Sequence, residues 1–387
     1  MKKILHIAID EKFIESANWQ FEKIYPGSNK FYIIIPDVEN YKLEHVKTHT
    51  NFEILPNNKQ SLKFILDQID EYDLVVLHNI DYFKSKIVYK SNKKIKFLWL
   101  FWGFEIYNEH KYFSKKIYGD LTKKEFFDSK HISIKDVIKQ QYDAISNFSV
   151  YRKLIKLKAI KKIKYFSTII KEEYDLLKNL NIISSEYIKF SYYPLEFIFK
   201  NHEDIYIAGN NILLGNSATE TNNHLEAFEI LKNCNLQNKK IIVPLSYGNM
   251  EYAKQIIKTG KTTFGTLFEP LTEFMSLNEY NNIIQSCDIL IMNAYRQQAE
   301  GNIFAMLWMG AKVYLDERNT VYNYLKRIGC LVYSINKDLK PENKNAFSPL
   351  NKNEIERNRE ILKNEIGKES LLNNLKKQID KILYNNY

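Results

Sequence analysis

Short β-branched or aromatic runs recur along this chain, each followed by an amphipathic or turn-rich stretch, and this alternation limits the fold more than any other feature. Ile4–Ile9, Phe31–Ile35, Leu74–Leu77 and Ile95–Trp102 read as strands of a first block. Ile134–Lys164 reads as helix, and Lys164–Ile170 returns to a strand pattern before a helix start at Lys171-Glu172-Glu173. After Asn201-His202-Glu203-Asp204 a second block begins, with strands at Ile212–Leu214, Ile241–Val243, Ile289–Ile291 and Lys312–Leu315. Its helices are expected near Asn222–Lys232, Glu251–Lys258, Asn278–Ser286 and Gly301–Met309. Strands alternating with helices of these lengths imply α/β architecture with parallel, doubly wound sheets. The expectation is two facing Rossmann-like domains, 1–200 and 201–354, then a C-terminal helix over 355–387 from the polar helical pattern Ile355–Leu383. Ligands would sit in the cleft between the domains, off the carboxyl ends of the strands.

Composition agrees with two ordinary globular domains: 387 residues, 45% hydrophobic and 26% charged, which excludes disordered, collagen-like and coiled-coil classes. Cys234, Cys287 and Cys330 are far apart with no CxxC pair, so neither a disulfide scaffold nor a zinc cluster is expected, and a reducing compartment fits. The N-terminal apolar run meets Asp10 and Glu11 before a signal-peptide core can form. Phe97–Phe104 is far shorter than the ~18–20 residues of a membrane helix. The net charge of +10 is almost all lysine, with arginine only at 152, 296, 318, 327, 357 and 359. Where a chain otherwise writes lysine, each arginine is a candidate for a role that only a planar fork can fill.

Four places hold residues with chemical potential. At Leu214-Gly215-Asn216-Ser217 a strand ends at a glycine with small polar residues, and a helix follows within a few residues, past Asn223 and His224. Backbone N–H groups and the helix dipole would make that turn a phosphate site; an ordinary βα turn with an Asn cap fits the same pattern. Asn293 to Asn302 follows the strand ending at Met292, where an open α/β sheet places its ligand loop. Arg296 there is the one arginine between 153 and 317, suited to a diphosphate; pairing with a surface carboxylate is the alternative. At the lip of the apolar strand before Trp102-Gly103-Phe104 stands Glu105, either a general base of raised pKa or a carboxylate at a helix N-terminus. Val150–Lys164 has apolar residues at helical spacing and seven Lys or Arg with no acid, which suits an anionic membrane surface or a packed helix with a solvated lysine face.

Nucleic acid is not an expected partner, since 27 Tyr and 23 Phe come without any nucleic-acid-binding signature. Walker A, GxGxxG, HExxH and GxSxG motifs do not occur, which lowers kinase, dehydrogenase, metalloprotease and esterase readings. No paired Asp or His constellation offers a metal site beside the phosphate loops, and no cofactor is expected.

Taken together, Trp-Gly-x-Glu-x-Tyr at 102–107, Ile-Leu-Leu-Gly-Asn-Ser then Asn-Asn-His-x-Glu-Ala at 212–227, Val243-Pro244-Leu245-Ser246-Tyr247, and Arg296-Gln297-Gln298-x-x-Gly301 resemble the 4-acetamido-4,6-dideoxygalactose transferases, also labelled 4-alpha-L-fucosyltransferases. The resemblance covers roughly residues 70–330 and is strongest from 210 to 320. It implies a GT-B fold and an inverting, metal-independent transfer from a dTDP-sugar to a polyprenyl-diphosphate-linked saccharide. It also implies peripheral association with the cytoplasmic face of a bacterial inner membrane. On that basis Gly215, Asn216, Ser217, Asn223, His224, Tyr247, Arg296, Gln297, Gln298, Glu300, Gly301 and Asn302 are expected to bind the donor. Arg296 would stabilise the departing diphosphate and Glu105 would take the acceptor proton, with Asp10 and His78 as reserve bases and Trp102 on the acceptor side. Two other classes fit the pattern: a GT-B enzyme with a soluble acceptor, and a non-catalytic nucleotide-sugar-binding module.

Overall fold

A computed structural model describes residues 2–37, 39–108, 110, 112–113, 116–128, 147–198 and 204–384. Seven strands make the first sheet: β1 (Ile4–Ile9), β2 (Asn29–Ile35), β3 (Phe52–Pro56), β4 (Leu74–His78), β5 (Phe97–Leu100), β6 (Tyr165–Ser167) and β7 (Glu186–Ile188). They lie in the order β3-β2-β1-β4-β5-β6-β7, all parallel. Central strands buried on both faces have to be apolar throughout, which is why Leu-Val-Val-Leu of β4 and Phe-Leu-Trp-Leu of β5 carry no alternation. The second sheet has β8 (Asn211–Leu214), β9 (Ile241–Pro244), β10 (Phe268–Leu271), β11 (Cys287–Met292), β12 (Lys312–Leu315) and β13 (Tyr333–Ser334). Its order is β10-β9-β8-β11-β12-β13, again parallel.

In each sheet the chain order reverses once, between β1 and β4 and between β8 and β11. In an open parallel sheet the loops at the carboxyl ends of the strands diverge at such a reversal and leave a crevice where ligands bind. The loops after β8 and β11 are the two that the sequence singles out for the donor.

The chain divides into two compact units less simply than a cut near residue 200. Unit 1 comprises Met1–Tyr107, Ile132–Pro194 and Lys368–Tyr387; unit 2 comprises Asn108–His131 and Leu195–Gly367. A stretch of the first half therefore belongs to the second unit, and the end of the chain belongs to the first. The expected single C-terminal helix is two, Lys352–Ile366 and Lys368–Tyr384, broken where Gly367 leaves the helical region. A Cβ at Gly367 would lie 2.2 Å from the Lys363 carbonyl, so the break requires glycine. The helix expected over Ile134–Lys164 is seen as Asn147–Lys162, and residues 134–146 lie outside the described residues.

Candidate functional site

In unit 2, the turn after β8 opens at Gly215 with φ +70°, and a Cβ there would meet the His224 Nε2 at 2.5 Å. Both constraints demand glycine. Asn216, next in the turn, joins the loops of three strands. Its Nδ2 donates to the Tyr247 hydroxyl after β9 (3.3 Å), and its Oδ1 accepts from Gln298 Nε2 after β11 (2.9 Å). Gln298 in turn accepts from Thr221 Oγ1 at 2.7 Å. The structure thus brings together Gly215, Asn216, Tyr247 and Gln298, residues that are 83 positions apart in sequence from 215 to 298. Ser217 is buried beneath this turn, hydrogen-bonded to Thr219 and covered by Asn222, whose Nδ2 donates to the Ser217 carbonyl at 2.9 Å.

Asn223 and His224 are placed differently from the expected donor contacts. Asn223 is fully buried in the left-handed region at φ +50°, and its amide is engaged within the protein. Its Oδ1 accepts from the Gly119 amide (2.8 Å), and its Nδ2 donates to the carbonyls of Ile117 (3.2 Å) and Asn293 (3.1 Å). Asn293 returns a bond from its own Nδ2 to the Asn223 carbonyl at 3.0 Å. Asn223 is therefore a brace between the two donor loops. His224 is fully buried, and burial pushes its pKa down to about 3, so the ring is neutral. The Tyr252 hydroxyl accepts from the His224 amide (3.3 Å) and lies 2.8 Å from His224 Nδ1, while Nε2 is buried against Gly215.

Arg296 is half-buried in the loop after β11, where its Nη1 donates to the Gln297 carbonyl at 3.0 Å. Gln297 donates to Glu300, and Asn302 donates to the Tyr280 hydroxyl at 2.9 Å. The helix Glu300–Met309 starts here after Ala299, a non-glycine residue at φ +57°, and no side chain caps it. A Cβ on Gly301 would meet nothing within 4 Å, so its small size leaves open space beside the first turn. Uncapped N–H groups, the helix dipole and a guanidinium in one loop favour an anion. Asn319 holds the loop from the other side, donating to the Ala294 carbonyl at 3.0 Å.

Tyr118 is a site residue that sequence reasoning missed. It stands between Ile117 and Gly119, both bonded to Asn223, and its ring packs on Phe127 with centroids 4.7 Å apart. Burial and the Glu220 charge raise its hydroxyl pKa, and the Arg296 charge opposes them. Nothing near residue 118 in sequence points to loops a hundred residues away.

In unit 1, Glu105 lies in the short helix Phe104–Tyr107 just past β5, 1% exposed. Its Oε1 accepts from the Trp99 indole (3.2 Å) and the Trp102 amide (3.1 Å), while Oε2 is buried without a hydrogen-bond partner. Burial pushes its pKa up to about 7, outweighing those bonds. The reserve bases are engaged within the fold. Burial of Asp10 is outweighed by hydrogen bonds from the amides of Glu44 (2.6 Å), Val46 (2.8 Å) and His45 (3.1 Å) and from the Tyr41 hydroxyl (3.2 Å), which hold its pKa below the usual range. His78 is fully buried with a lowered pKa, and both ring nitrogens are used, toward His6 Nδ1 (3.1 Å) and the Tyr192 hydroxyl (3.0 Å). The same hydroxyl accepts from the Trp102 indole at 2.7 Å, which fixes that ring at the end of the sheet. Among the described residues, no three His, Cys, Asp or Glu side chains cluster as a metal site.

Residues 190–357 match the family model of 4-alpha-L-fucosyltransferase, glycosyl transferase group 56. Three solved structures similar over nearly the whole chain support the fold. The trehalose-6-phosphate phosphatase N-terminal domain of Candida albicans has TM-score 0.62 at 9% identity, covering 99% of this chain and 97% of that one. WaaG, a glycosyltransferase of lipopolysaccharide biosynthesis, has TM-score 0.53 at 10% identity, with 99% and 100% covered. HepE of Anabaena in complex with UDP has TM-score 0.56 at 10% identity, with 98% and 99% covered. The glycosyltransferases among these neighbours are GT-B enzymes, and a glycosyltransferase family match on that fold supports a glycosyltransferase.

Proposed function

We propose that this chain transfers an acetamidodideoxyhexose, such as 4-acetamido-4,6-dideoxygalactose, from its dTDP form to a polyprenyl-diphosphate-linked saccharide, with inversion and without a metal ion. The observation that carries this reading is the junction of Asn216, Tyr247 and Gln298 beside Arg296 and the uncapped start of the Glu300–Met309 helix. The 4-alpha-L-fucosyltransferase family match spans all of these residues, and the nucleotide bound by HepE supports a nucleotide-sugar donor.

In this mechanism the diphosphate lies against the helix start and the Gly215 turn, where N–H groups and the dipole favour its charge. The bond from the anomeric carbon to the phosphate oxygen breaks, and its electron pair leaves with the diphosphate, which Arg296 stabilises. The acceptor oxygen bonds to the opposite face of that carbon through an oxocarbenium-like transition state, and its proton passes to Glu105. Glu105 suits that step because a pKa of about 7 keeps it both available as a base and able to hold the proton.

The test is purified full-length protein with dTDP-sugar and lipid-linked acceptor, in EDTA, with the product read by mass spectrometry. A transferred sugar of inverted anomeric configuration is expected. Transfer only from another nucleotide, only to a soluble acceptor, or only with added Mg²⁺ would overturn the corresponding part of the reading.

A further inference from the structure

Five polar side chains of unit 1 form one hydrogen-bond chain through an aromatic core. Asn29 begins β2, His6 lies on β1, His78 ends β4, and Tyr192 and Trp102 follow β7 and β5. His6 is stacked on Phe31, with ring centroids 4.0 Å apart, and makes an edge contact with Phe21 at 4.5 Å. In such a core, apolar groups of the same shape can replace a hydrogen-bonded pair at little cost in stability, so packing alone does not call for two imidazoles.

The direction of every bond follows from the two ends. Asn29 Nδ2 commits both hydrogens, to the Glu22 carboxylate (2.8 Å) and the Tyr25 carbonyl (2.8 Å), so its Oδ1 accepts from His6 Nε2 at 3.4 Å. Burial keeps both imidazoles neutral, pushing His6 down to about 3 despite the Asn29 contact and His78 well below its usual range. With its hydrogen on Nε2, His6 presents a bare Nδ1, and His78 Nε2 donates to it at 3.1 Å. His78 Nδ1 is then bare in turn and accepts from the Tyr192 hydroxyl at 3.0 Å. That leaves the Tyr192 oxygen to accept from the Trp102 indole at 2.7 Å, and an indole N–H can only donate. Both ends demand the same polarity. Trp102 is only half-buried, so the indole bond supplies restraint that packing does not. The backbone amide of this same residue donates to Glu105 Oε1 at 3.1 Å, which joins the chain to the proposed base.

We propose that His78, His6 and Tyr192 are positioning residues that hold the Trp102 ring in one orientation and, through the Trp102 amide, aim the Glu105 carboxylate. The link to Glu105 rests on the base role proposed above; the hold on Trp102 does not.

The experiment is nuclear magnetic resonance on the full chain, labelled with nitrogen-15 at histidine or at tryptophan, beside steady-state kinetics. In the wild type, His6 and His78 should be neutral imidazoles with the hydrogen on Nε2; a hydrogen on Nδ1 of either would overturn the chain. Substitutions at His78 separate its two bonds. His78→Asn puts an acceptor where Nδ1 stood and drops the donor to His6, whereas His78→Gln keeps a donor toward His6 and drops the acceptor for Tyr192. Exchange of the Trp102 indole hydrogen, identified by its loss in Trp102→Phe, should quicken about tenfold or more in His78→Gln and Tyr192→Phe and stay within about threefold in His78→Asn. Turnover should fall about tenfold or more in the first two and recover to within about threefold in His78→Asn. The donor KM should hold in all three, since Gly215, Asn216, Tyr247 and Arg296 lie in unit 2. Equal exchange in the two His78 variants would overturn the hold on Trp102. Loss of turnover in both would make His78 a base instead, and wild-type turnover in His78→Gln would break the link to Glu105. A wild type that transfers no sugar yet shows the exchange pattern would overturn the proposed reaction and sustain the hold on Trp102.

Discussion

Arg296→Lys keeps the positive charge in the donor loop and removes its fork, so turnover should fall about tenfold or more with the unfolding temperature unchanged. Steady-state kinetics beside a melting curve check this, and near-normal turnover would remove the leaving-group role. The other five arginines show why rarity alone was an incomplete guide. Arg318 is bidentate on Asp316 (2.7 Å and 2.7 Å) and stacks on Tyr295, and Arg359 lies 4.2 Å and 4.3 Å from the rings of Tyr206 and Trp308. Arg357 donates to the Gly329 carbonyl, and Arg152 and Arg327 lie over Tyr82 and Tyr324. Each uses the planar guanidinium, and Arg318 follows β12 as Arg296 follows β11; what distinguishes Arg296 is its place in the loop that leads into the uncapped start of the Glu300–Met309 helix. Glu105 carries the second prediction. Its pKa is raised from 4.5 to about 7, so the folded state holds a proton that the unfolded state releases between those values. Glu105 therefore contributes stability that is fully present below about pH 4.5 and lost as pH rises through 7. Glu105→Gln should flatten that decline in melting experiments and cut turnover by about 10²–10⁴-fold while donor affinity holds. A variant with full turnover would make Glu105 structural.

Edge position explains which elements the sequence hid. The central strands stood out as β-branched runs, whereas β3, β7, β10 and β13 did not, and these four are the edges of the two sheets. An edge strand is covered less completely, so Phe-Glu-Ile-Leu-Pro of β3 and Glu-Tyr-Ile of β7 carry charge and little periodicity. The donor loops were legible because a glycine or small polar run after a strand has a physical cause; the segment around Tyr118 was not, because its anchors are remote side chains. Those anchors can be tested. Glu226 accepts from the Thr122 amide (2.8 Å) and hydroxyl (2.7 Å), and a Cβ at Gly119 would lie 2.1 Å from the Glu226 carboxylate. Gly119→Ala must therefore displace Glu226 and free the helix Asp120–Lys123. Hydrogen exchange at residues 117–123 should quicken at least tenfold and the donor KM should rise severalfold; exchange at the wild-type rate would show that the latch does not hold the segment.

The last helix shows that chain order and folding units differ in this molecule. Lys368–Tyr384 follows unit 2 in sequence, yet Leu375, Ile379, Ile382 and Leu383 are buried in a core with Ile4, Phe21, Leu98 and Phe190 of unit 1. Polar contacts fix its register. Gln378 takes the Lys189 amide at 2.7 Å and gives to the Lys189 carbonyl at 3.0 Å, Lys96 donates to the Ile382 carbonyl at 2.6 Å, and Tyr25 donates to Asp380. Full burial of a Leu or Ile side chain is worth about 1.5–3 kcal/mol, so the four together contribute about 6–12 kcal/mol. That is comparable to the ~5–15 kcal/mol by which a whole domain is stable. A chain ending at Gly367 should therefore lose unit 1 while unit 2, whose core of Ile212, Leu214, Val243, Ile289 and Ile291 does not involve this helix, stays folded. Calorimetry should show one transition fewer than in the full chain. Tryptophan emission should shift to the red, because Trp19, Trp99 and Trp102 lie in unit 1 and Trp308 alone lies in unit 2. Nucleotide binding should persist within severalfold, since Gly215, Asn216, Tyr247 and Arg296 are all in unit 2, while transfer is lost with Glu105. A truncated chain that melts like the intact one would mean that the helix decorates unit 1 rather than completing its core.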